Sequence, residues 1–170
     1  MLSCVNCNKD DLQVFYKDLL HPDSQLNGSV YLSMQTLGPW GVGATSYEAS
    51  PNRHLSRALA THWLYGALRA ANSTVGQIAP PATTSSMVGW RDFGPSEQFF
   101  ADAVRCADIG ILPKPDSKVN FDPQHSIQSI EWAEWLQRAF GQRTLGLKDG
   151  SISRSAAAVA LFQQASSTKF

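Results

Sequence analysis

The feature that most constrains this chain is a sequence pattern that occurs twice without a gap. Residues 37–68 lie on residues 109–140 when they are shifted by 72 positions. Three matched pairs involve residue types that are individually uncommon: Gly38 with Gly110, Pro51 with Pro123, and Trp63 with Trp135. Internal repeats of this length fold as neighbouring copies of one supersecondary unit. Each copy therefore predicts a helix that ends at the glycine, a loop, and a second helix that begins after the proline.

A shorter third copy of the pattern lies near the C-terminus. Residues 152–154 read Ile-Ser-Arg where residues 55–57 read Leu-Ser-Arg, and an apolar helical segment follows both. About ten residues separate Gly141 from Ile152, and with a rise of about 1.5 Å per residue they cannot form both a loop and a long first helix. We predict that the third unit is partial, or that it borrows its first helix from elsewhere.

These repeats predict an all-α fold in which tandem helical hairpins pack as a pseudo-symmetric bundle with long loops. The 170 residues are enough for one domain with its own core. We expect that single domain, residues 1–170, to contain unit one at about 12–71, a Ser-, Thr-, Ala- and Pro-rich linker at 72–88, unit two at about 89–141, and a partial unit three at about 142–170.

Apolar residues recur with helical spacing in six segments. The predicted helices are residues 10–20, 26–37, 54–69, 98–109, 127–140 and 153–164. Asn52 is predicted to cap the third of these helices, and Gly110 and Gly141 are predicted to end the fourth and the fifth. Trp63 and Trp135 fall on the apolar stripes of their helices, which predicts that both side chains are buried.

Composition argues against several classes of function. The formal net charge is zero and charged residues make up 16% of the chain, so nothing favours a nucleic-acid partner. No stretch approaches the roughly 20 apolar residues that span a bilayer, so no membrane insertion is expected. Cys4 and Cys7 form a Cys-x-x-Cys without the second ligand pair of a zinc site, so neither a metal nor a cofactor is predicted. Residues 1–11 have no signal-peptide pattern, so if the protein is exported we expect this chain to be a mature form or a fragment.

The second unit carries the motifs on which a family resemblance rests. It opens with Trp-Arg-Asp-Phe at residues 90–93, and its first helix ends in Ala-Asp-Ile-Gly-Ile at 107–111. Its loop closes with Phe-Asp-Pro at 121–123, and its second helix begins at Ile127. Leu-Ser-Arg-Ala at 55–58 gives the first unit a similar helix start. In this order of motifs the chain resembles the S-layer homology domain, whose second helix starts with an Ile-Thr-Arg-Ala-Glu-like sequence.

The resemblance implies non-covalent anchoring to cell-wall polysaccharide, outside the cell and at the cell envelope. In the family, three units form a pseudo-threefold bundle, and anionic glycans lie in grooves between units. The arginine of the family motif is kept as Arg57 and Arg154, whereas the second unit has Ser129 there. Arginine presents a planar fork of donors that suits a carboxylate, and tryptophan faces can stack on sugar rings. The resemblance thus implies an anionic cell-wall glycan as partner and these ligand-binding residues: Arg57, Arg154, Trp40 and Trp90.

Two other interpretations stay open at this point. Arg57 and Arg154 can instead tie the loop before each helix to a neighbouring unit. The whole chain can also be a helical protein-interaction or dimerisation module, either forming a homo-oligomer or serving as the C-terminal part of a larger enzyme with an attached catalytic domain.

The sequence contains no recognisable catalytic motif, and we predict that the chain is not an enzyme. No Gly-x-Ser-x-Gly sequence marks a serine nucleophile. No metal-binding spacing joins the four histidines, which are His21, His54, His62 and His125. Glu131 and Glu134 lie three positions apart on one predicted helix, and a glycosidase-like pair of carboxylates stays open as an alternative. Carboxylates near a helix start also interact favourably with the helix dipole.

Overall fold

A computed structural model describes residues 50–71, 88–141 and 146–167 of this chain. Within these ranges the protein is all-α, as predicted. The four helices are α1 at Arg57–Ala71, α2 at Phe100–Asp108, α3 at Ser129–Phe140 and α4 at Arg154–Ser167. Extended backbone in the described ranges pairs only as isolated bridges. The helices predicted at 10–20 and 26–37, and the cysteines Cys4 and Cys7, lie outside the described residues.

Helices α1 and α3 begin later than the sequence predicted. Helix α1 begins at Arg57 rather than at His54, and α3 begins at Ser129 rather than at residue 127. The residues before the helices are extended because they pair with distant segments. Isolated antiparallel bridges join His54 with Ser153, Ser56 with Ser126, and Gln128 with Ser151. Asn52 is therefore too far from the first turn of α1, and its predicted N-cap role is wrong.

Three residues that lie next to these bridges form a closed ring of backbone hydrogen bonds. Leu55 donates its N–H to the carbonyl oxygen of Ile152 at 3.0 Å, Ile152 donates to Ile127 at 3.1 Å, and Ile127 donates to Leu55 at 2.9 Å. All three side chains are buried. Buried backbone polar groups need partners, and the ring supplies three donors with three acceptors inside the core. It thereby joins the N-terminal ends of α1, α3 and α4.

Helix α2 ends as the glycine pattern predicted. Gly110 adopts the left-handed conformation with φ +82°. Its N–H donates to Ala107 O at 3.1 Å, and the N–H of Ile111 donates to Cys106 O at 2.9 Å. This pair of bonds is a Schellman motif, in which a residue without a Cβ best occupies the left-handed position. Gly141, with φ +75°, ends α3.

The core lies where the helices meet. Helix α1 packs against α2, α3 and α4, and α3 also packs against α4. Trp63 is 1% exposed and Trp135 is 3% exposed, so their predicted burial is confirmed. The largest fully buried side chains are Trp63, Trp132, Phe93, Phe100, Leu55, Leu64, Ile111, Ile127, Leu136 and Leu161. No helix in the described part of the chain has the length and apolar character needed to cross a bilayer.

Candidate functional site

Arg57 is the centre of the candidate site. It is the first residue of α1, and its backbone N–H donates to His125 O at 2.9 Å, which fixes the helix start against the segment before α3. Its side-chain Nε donates to Phe121 O at 2.7 Å, and its Nη1 donates to Glu131 Oε1, forming an ion pair. Arg57 therefore links α1 both to the loop before α3 and to α3 itself.

Two aromatic rings pack near the Arg57 guanidinium. Its central carbon lies 5.1 Å from the centroid of the Phe121 ring and 5.6 Å from the centroid of the Trp135 ring. Both distances fall in the range of cation–π attraction. The Arg57 side chain is 23% exposed and that of Glu131 is 26% exposed. The ion pair is thus held in place by packing and still meets solvent on one side.

The Arg57–Glu131 pair opens onto a groove of about 460 Å3. Residues of the loop from 112 to 121 form one wall, and four residues of α3 form the other, namely Glu131, Glu134, Trp135 and Arg138. The groove carries three cationic and three acidic side chains, which are Arg57, Lys114, Arg138, Asp116, Glu131 and Glu134. Arg138 Nη2 lies 3.7 Å from Glu134 Oε2, and Arg138 Nη1 donates to Ile111 O at 2.9 Å. The formal charge of the lining is therefore balanced.

Asp92 fixes the loop that forms this wall. Its two carboxylate oxygens accept hydrogen bonds from the backbone N–H of Phe121 at 2.6 Å and of Asp122 at 2.8 Å. Asp122 is in the left-handed conformation, with φ +57°. Bonds from N–H groups to a carboxylate are stronger than those between neutral groups. Asp92 consequently sets the position of the Phe121 carbonyl to which Arg57 donates.

Trp90 borders the same groove but offers it little surface. The residue is 7% exposed, and its ring contacts Phe121 at a centroid distance of 4.8 Å and Phe100, edge to face, at 6.2 Å. Together with Phe93 these rings form a buried aromatic cluster beneath the loop. A role in stacking on a sugar remains a prediction for a ring that is mostly covered. Trp40, the other predicted stacking residue, lies outside the described residues.

Arg154 is not part of this groove. It begins α4, and its backbone N–H donates to Arg53 O at 2.8 Å. The residue is half-buried, and its side chain does not line the groove at Arg57. The structure thus places the two predicted arginines at the starts of two different helices, each next to the segment that precedes another helix. Of the four predicted ligand-binding residues it brings together Arg57 and Trp90.

A second groove, of about 510 Å3, lies at the start of α3. Ser129 begins this helix, whereas arginines, Arg57 and Arg154, begin α1 and α4. The Ser129 hydroxyl donates to Gly150 O at 3.0 Å, and its backbone N–H donates to the same oxygen at 2.8 Å. His54 and Lys148 supply the basic groups of its lining. This groove therefore lacks the planar guanidinium found at Arg57.

The two carboxylates considered as a glycosidase-like pair each have a cationic partner in the described residues. Glu131 is occupied by Arg57, and Glu134 lies beside Arg138. Among the described residues no three His, Cys, Asp or Glu side chains are grouped to hold a metal ion. Burial, reinforced by the charge of Asp102, raises the pKa of the Cys106 thiol well above its ordinary value, which disfavours the nucleophilic thiolate.

Sequence reasoning missed two side-chain pairs. The first is Arg57 with Glu131, which are 74 positions apart. The second is His62 on α1 with Asp102 on α2, where Nδ1 and Oδ2 are 2.7 Å apart and the imidazole stacks on Phe99 at 4.5 Å. Helical periodicity placed each residue on its own helix but carries no information about which helices meet.

No protein-family model matches the chain, and no curated protein matches it significantly.

Proposed function

We propose that this chain is a non-catalytic module that binds cell-wall polysaccharide and anchors the protein to which it belongs at the cell envelope. The observation that carries the proposal is the groove at Arg57. It combines a guanidinium held in a fixed orientation, carboxylates and a loop anchored by Asp92. Such a groove, in which charged side chains stand beside apolar and aromatic ones, suits a sugar chain, which carries both hydroxyls and apolar ring faces. The arrangement agrees with the function implied by the S-layer homology resemblance.

The proposal includes a pseudo-symmetric bundle of three units. Its support is a set of equivalent hydrogen bonds at the helix starts. Arg57, Ser129 and Arg154 each begin a helix and each donate a backbone N–H to the segment before another helix, with acceptors His125, Gly150 and Arg53. Each acceptor lies two positions before a member of the ring formed by Leu55, Ile127 and Ile152. A threefold arrangement of units predicts this recurrence.

Turn geometry before two of the helices adds further support for the repeat. Ser50 and Asp122, which are 72 positions apart, are both non-glycine residues with positive φ, of +47° and +57°. Each precedes a proline. Each also accepts a hydrogen bond at 3.0 Å from the N–H three residues later, at Arg53 and His125. The sequence repeat that predicts a common unit therefore coincides with a common local conformation.

Sedimentation with purified cell-wall sacculi tests the proposed function. We expect the full chain to sediment with sacculi, and Arg57→Ala to weaken that binding about tenfold to a hundredfold, because a charge-assisted hydrogen bond contributes about 1.5–3 kcal/mol. Arg154→Ala is titrated separately, since the resemblance implies that Arg154 serves a ligand-binding site of its own. Arg69→Ala is the matched control, because Arg69 is an exposed arginine on α1 that lies 6.0 Å from the Tyr65 ring and outside the groove.

The melting temperature is followed for each variant. Unchanged binding by both Arg57→Ala and Arg154→Ala, or a loss explained entirely by unfolding, would leave the arginines as ties between units. The same experiment addresses the alternative function. Failure of the wild-type chain to bind sacculi, together with self-association or capture of a protein partner, would favour the helical interaction module.

A further inference from the structure

We infer that the groove at Arg57 recognises an uncharged, hydroxyl-rich sugar unit rather than a carboxylate-bearing one. This inference rests on the proposed polysaccharide-binding function and specifies the ligand class of that site. It departs from the anionic glycan that the resemblance implies. The observations that carry it are the ion pair between Arg57 and Glu131 and the balanced charge of the groove lining.

The positive charge of Arg57 is already balanced by the negative charge of Glu131. Glu131 Oε1 accepts from Nη1, and the Phe121 carbonyl oxygen accepts from Nε. The rings of Phe121 and Trp135 hold the guanidinium in this position. A ligand carboxylate bound at the remaining nitrogen would lie close to the carboxylate of Glu131, and like charges at a half-buried site repel more strongly than in bulk water. The resident carboxylate therefore opposes an incoming one.

The rest of the groove provides no compensating field. Arg138 lies beside Glu134, and Lys114 and Asp116 complete a lining with three groups of each sign. A cleft attracts ions of one sign when its walls carry an excess of the other. This lining has no excess, so an anionic ligand gains no general electrostatic attraction from it.

Within the described residues, the ion pair occupies one terminal nitrogen of the Arg57 guanidinium and one oxygen of the Glu131 carboxylate. Nη1 of Arg57 donates to Oε1 of Glu131. In the part of the chain that the structure describes, the other terminal nitrogen, Nη2, and the other carboxylate oxygen, Oε2, make no hydrogen bond. A sugar hydroxyl is both a donor and an acceptor. Two neighbouring hydroxyls can therefore accept from Arg57 and donate to Glu131 at the same time. A carboxylate can only accept, so it would leave Glu131 without a donor.

A pair of matched polysaccharides tests the inference on the wild-type chain. One is wall polysaccharide released from sacculi in its native, anionic form. The other is the same material after chemical reduction of its carboxyl groups to primary alcohols, which removes charge and retains the hydroxyls. We expect the full chain to bind the reduced form at least as tightly as the native one, with little dependence on salt. Binding of the native form alone would overturn the inference while leaving the proposed function standing, and binding of neither form would overturn both.

Glu131→Gln should change the binding affinity in opposite directions for an uncharged and for a carboxylate-bearing ligand. The amide retains an acceptor oxygen but loses the charge-assisted bond, so affinity for the reduced polysaccharide should fall about fivefold to tenfold. If the groove binds carboxylates, removing the resident charge should instead tighten binding of the native form, and that result would overturn the inference. Asp108→Asn is the control, because Asp108 forms a 3.8 Å ion pair with Arg105 on α2, away from the groove. The melting temperatures of both variants are compared with that of the wild type. The test of native against reduced polysaccharide uses only the wild-type chain, so it does not depend on the stability of any variant.

Discussion

Arg57 contacts Phe121 twice, through the backbone and through the ring. Its Nε donates to the Phe121 carbonyl oxygen at 2.7 Å, and its guanidinium carbon lies 5.1 Å from the centroid of the same residue's ring. The first contact needs a donor on the Nε atom, and the second needs a flat, weakly hydrated cation. Arginine meets both requirements, whereas lysine has no donor at the Nε position and no planar group.

Arg57→Lys should therefore fail to replace Arg57 even though the charge is kept. We expect Arg57→Ala and Arg57→Lys each to lower the free energy of unfolding by about 1–3 kcal/mol, since either change leaves the half-buried Glu131 carboxylate with a poorer partner or none. Urea denaturation measures the change. Arg69→Ala should change it by less than about 0.5 kcal/mol because that side chain is exposed. Full retention of stability by Arg57→Lys would show that only the charge matters.

The two tryptophans that the sequence pattern placed in the core should be important for stability. Trp63 and Trp135 are 1% and 3% exposed. Replacing a buried tryptophan with alanine removes its transfer free energy and leaves a cavity, at a cost of about 3–5 kcal/mol. Thermal and urea unfolding of Trp63→Ala and Trp135→Ala check this value. Ile130→Ala is the control, because Ile130 is 73% exposed and should change stability by less than about 0.5 kcal/mol.

Asp92 should be needed for the shape of the groove wall. Asp92→Ala removes the acceptor for the N–H groups of Phe121 and Asp122, and we expect a loss of about 1–3 kcal/mol in unfolding free energy. Hydrogen exchange should become faster at those two amides. Asp116→Ala is the matched change, because Asp116 is exposed and its carboxylate accepts from one backbone N–H, that of Lys118 at 2.8 Å. Equal exchange rates in wild type and Asp92→Ala would contradict the anchoring role.

Cys106 should make stability fall as pH rises. Burial first, and the Asp102 charge second, raise the pKa of this thiol in the folded protein. The unfolded chain loses the proton near pH 8.5 while the folded chain keeps it, so the contribution is fully present below that pH and decreases above it, by at most about 1.4 kcal/mol per pH unit. Urea denaturation between pH 7.5 and 10, a range set about the reference pKa, should show a smaller decrease for Cys106→Ala.

The comparison of wild type with Cys106→Ala removes the contribution of Cys4 and Cys7, which are present in both proteins. Labelling with iodoacetamide is an independent check. The peptide containing Cys106 should stay unlabelled in the folded protein and become labelled in urea, because the thiolate is the reactive form. Rapid labelling of this peptide without denaturant would contradict the burial and the direction of the pKa change.

Much of the helical part of the fold was predictable from local sequence. The apolar stripes identified the helices around Trp63 and Trp135, and Gly110 and Gly141 marked helix ends because few other residues accept positive φ. The helix starts were less predictable. The extended residues before α1 and α3 have apolar side chains at helical spacing, but they pair with segments that are far away in the sequence.

The candidate site could be predicted only in part for the same reason. The resemblance selected Arg57, but Glu131 was considered as a carboxylate on its own helix rather than as the partner of an arginine on another. A stacking role for Trp90 requires an open ring face, and the cluster with Phe93, Phe100 and Phe121 leaves that ring mostly covered. Exposure and pairing depend on which elements meet, and a single sequence does not encode that information in its local spacing.

The ring of hydrogen bonds among Leu55, Ile127 and Ile152 also sets the order in which the protein can be completed. During synthesis Leu55 and Ile127 emerge first and can form one of the three bonds. The amide of Leu55 and the carbonyl of Ile127 then wait for Ile152, which follows Leu55 by 97 positions. Contacts between such distant residues form late because a long loop must be closed first. We therefore expect residues 152–165 to complete the core after the chain around Leu55 and Ile127 has been synthesised.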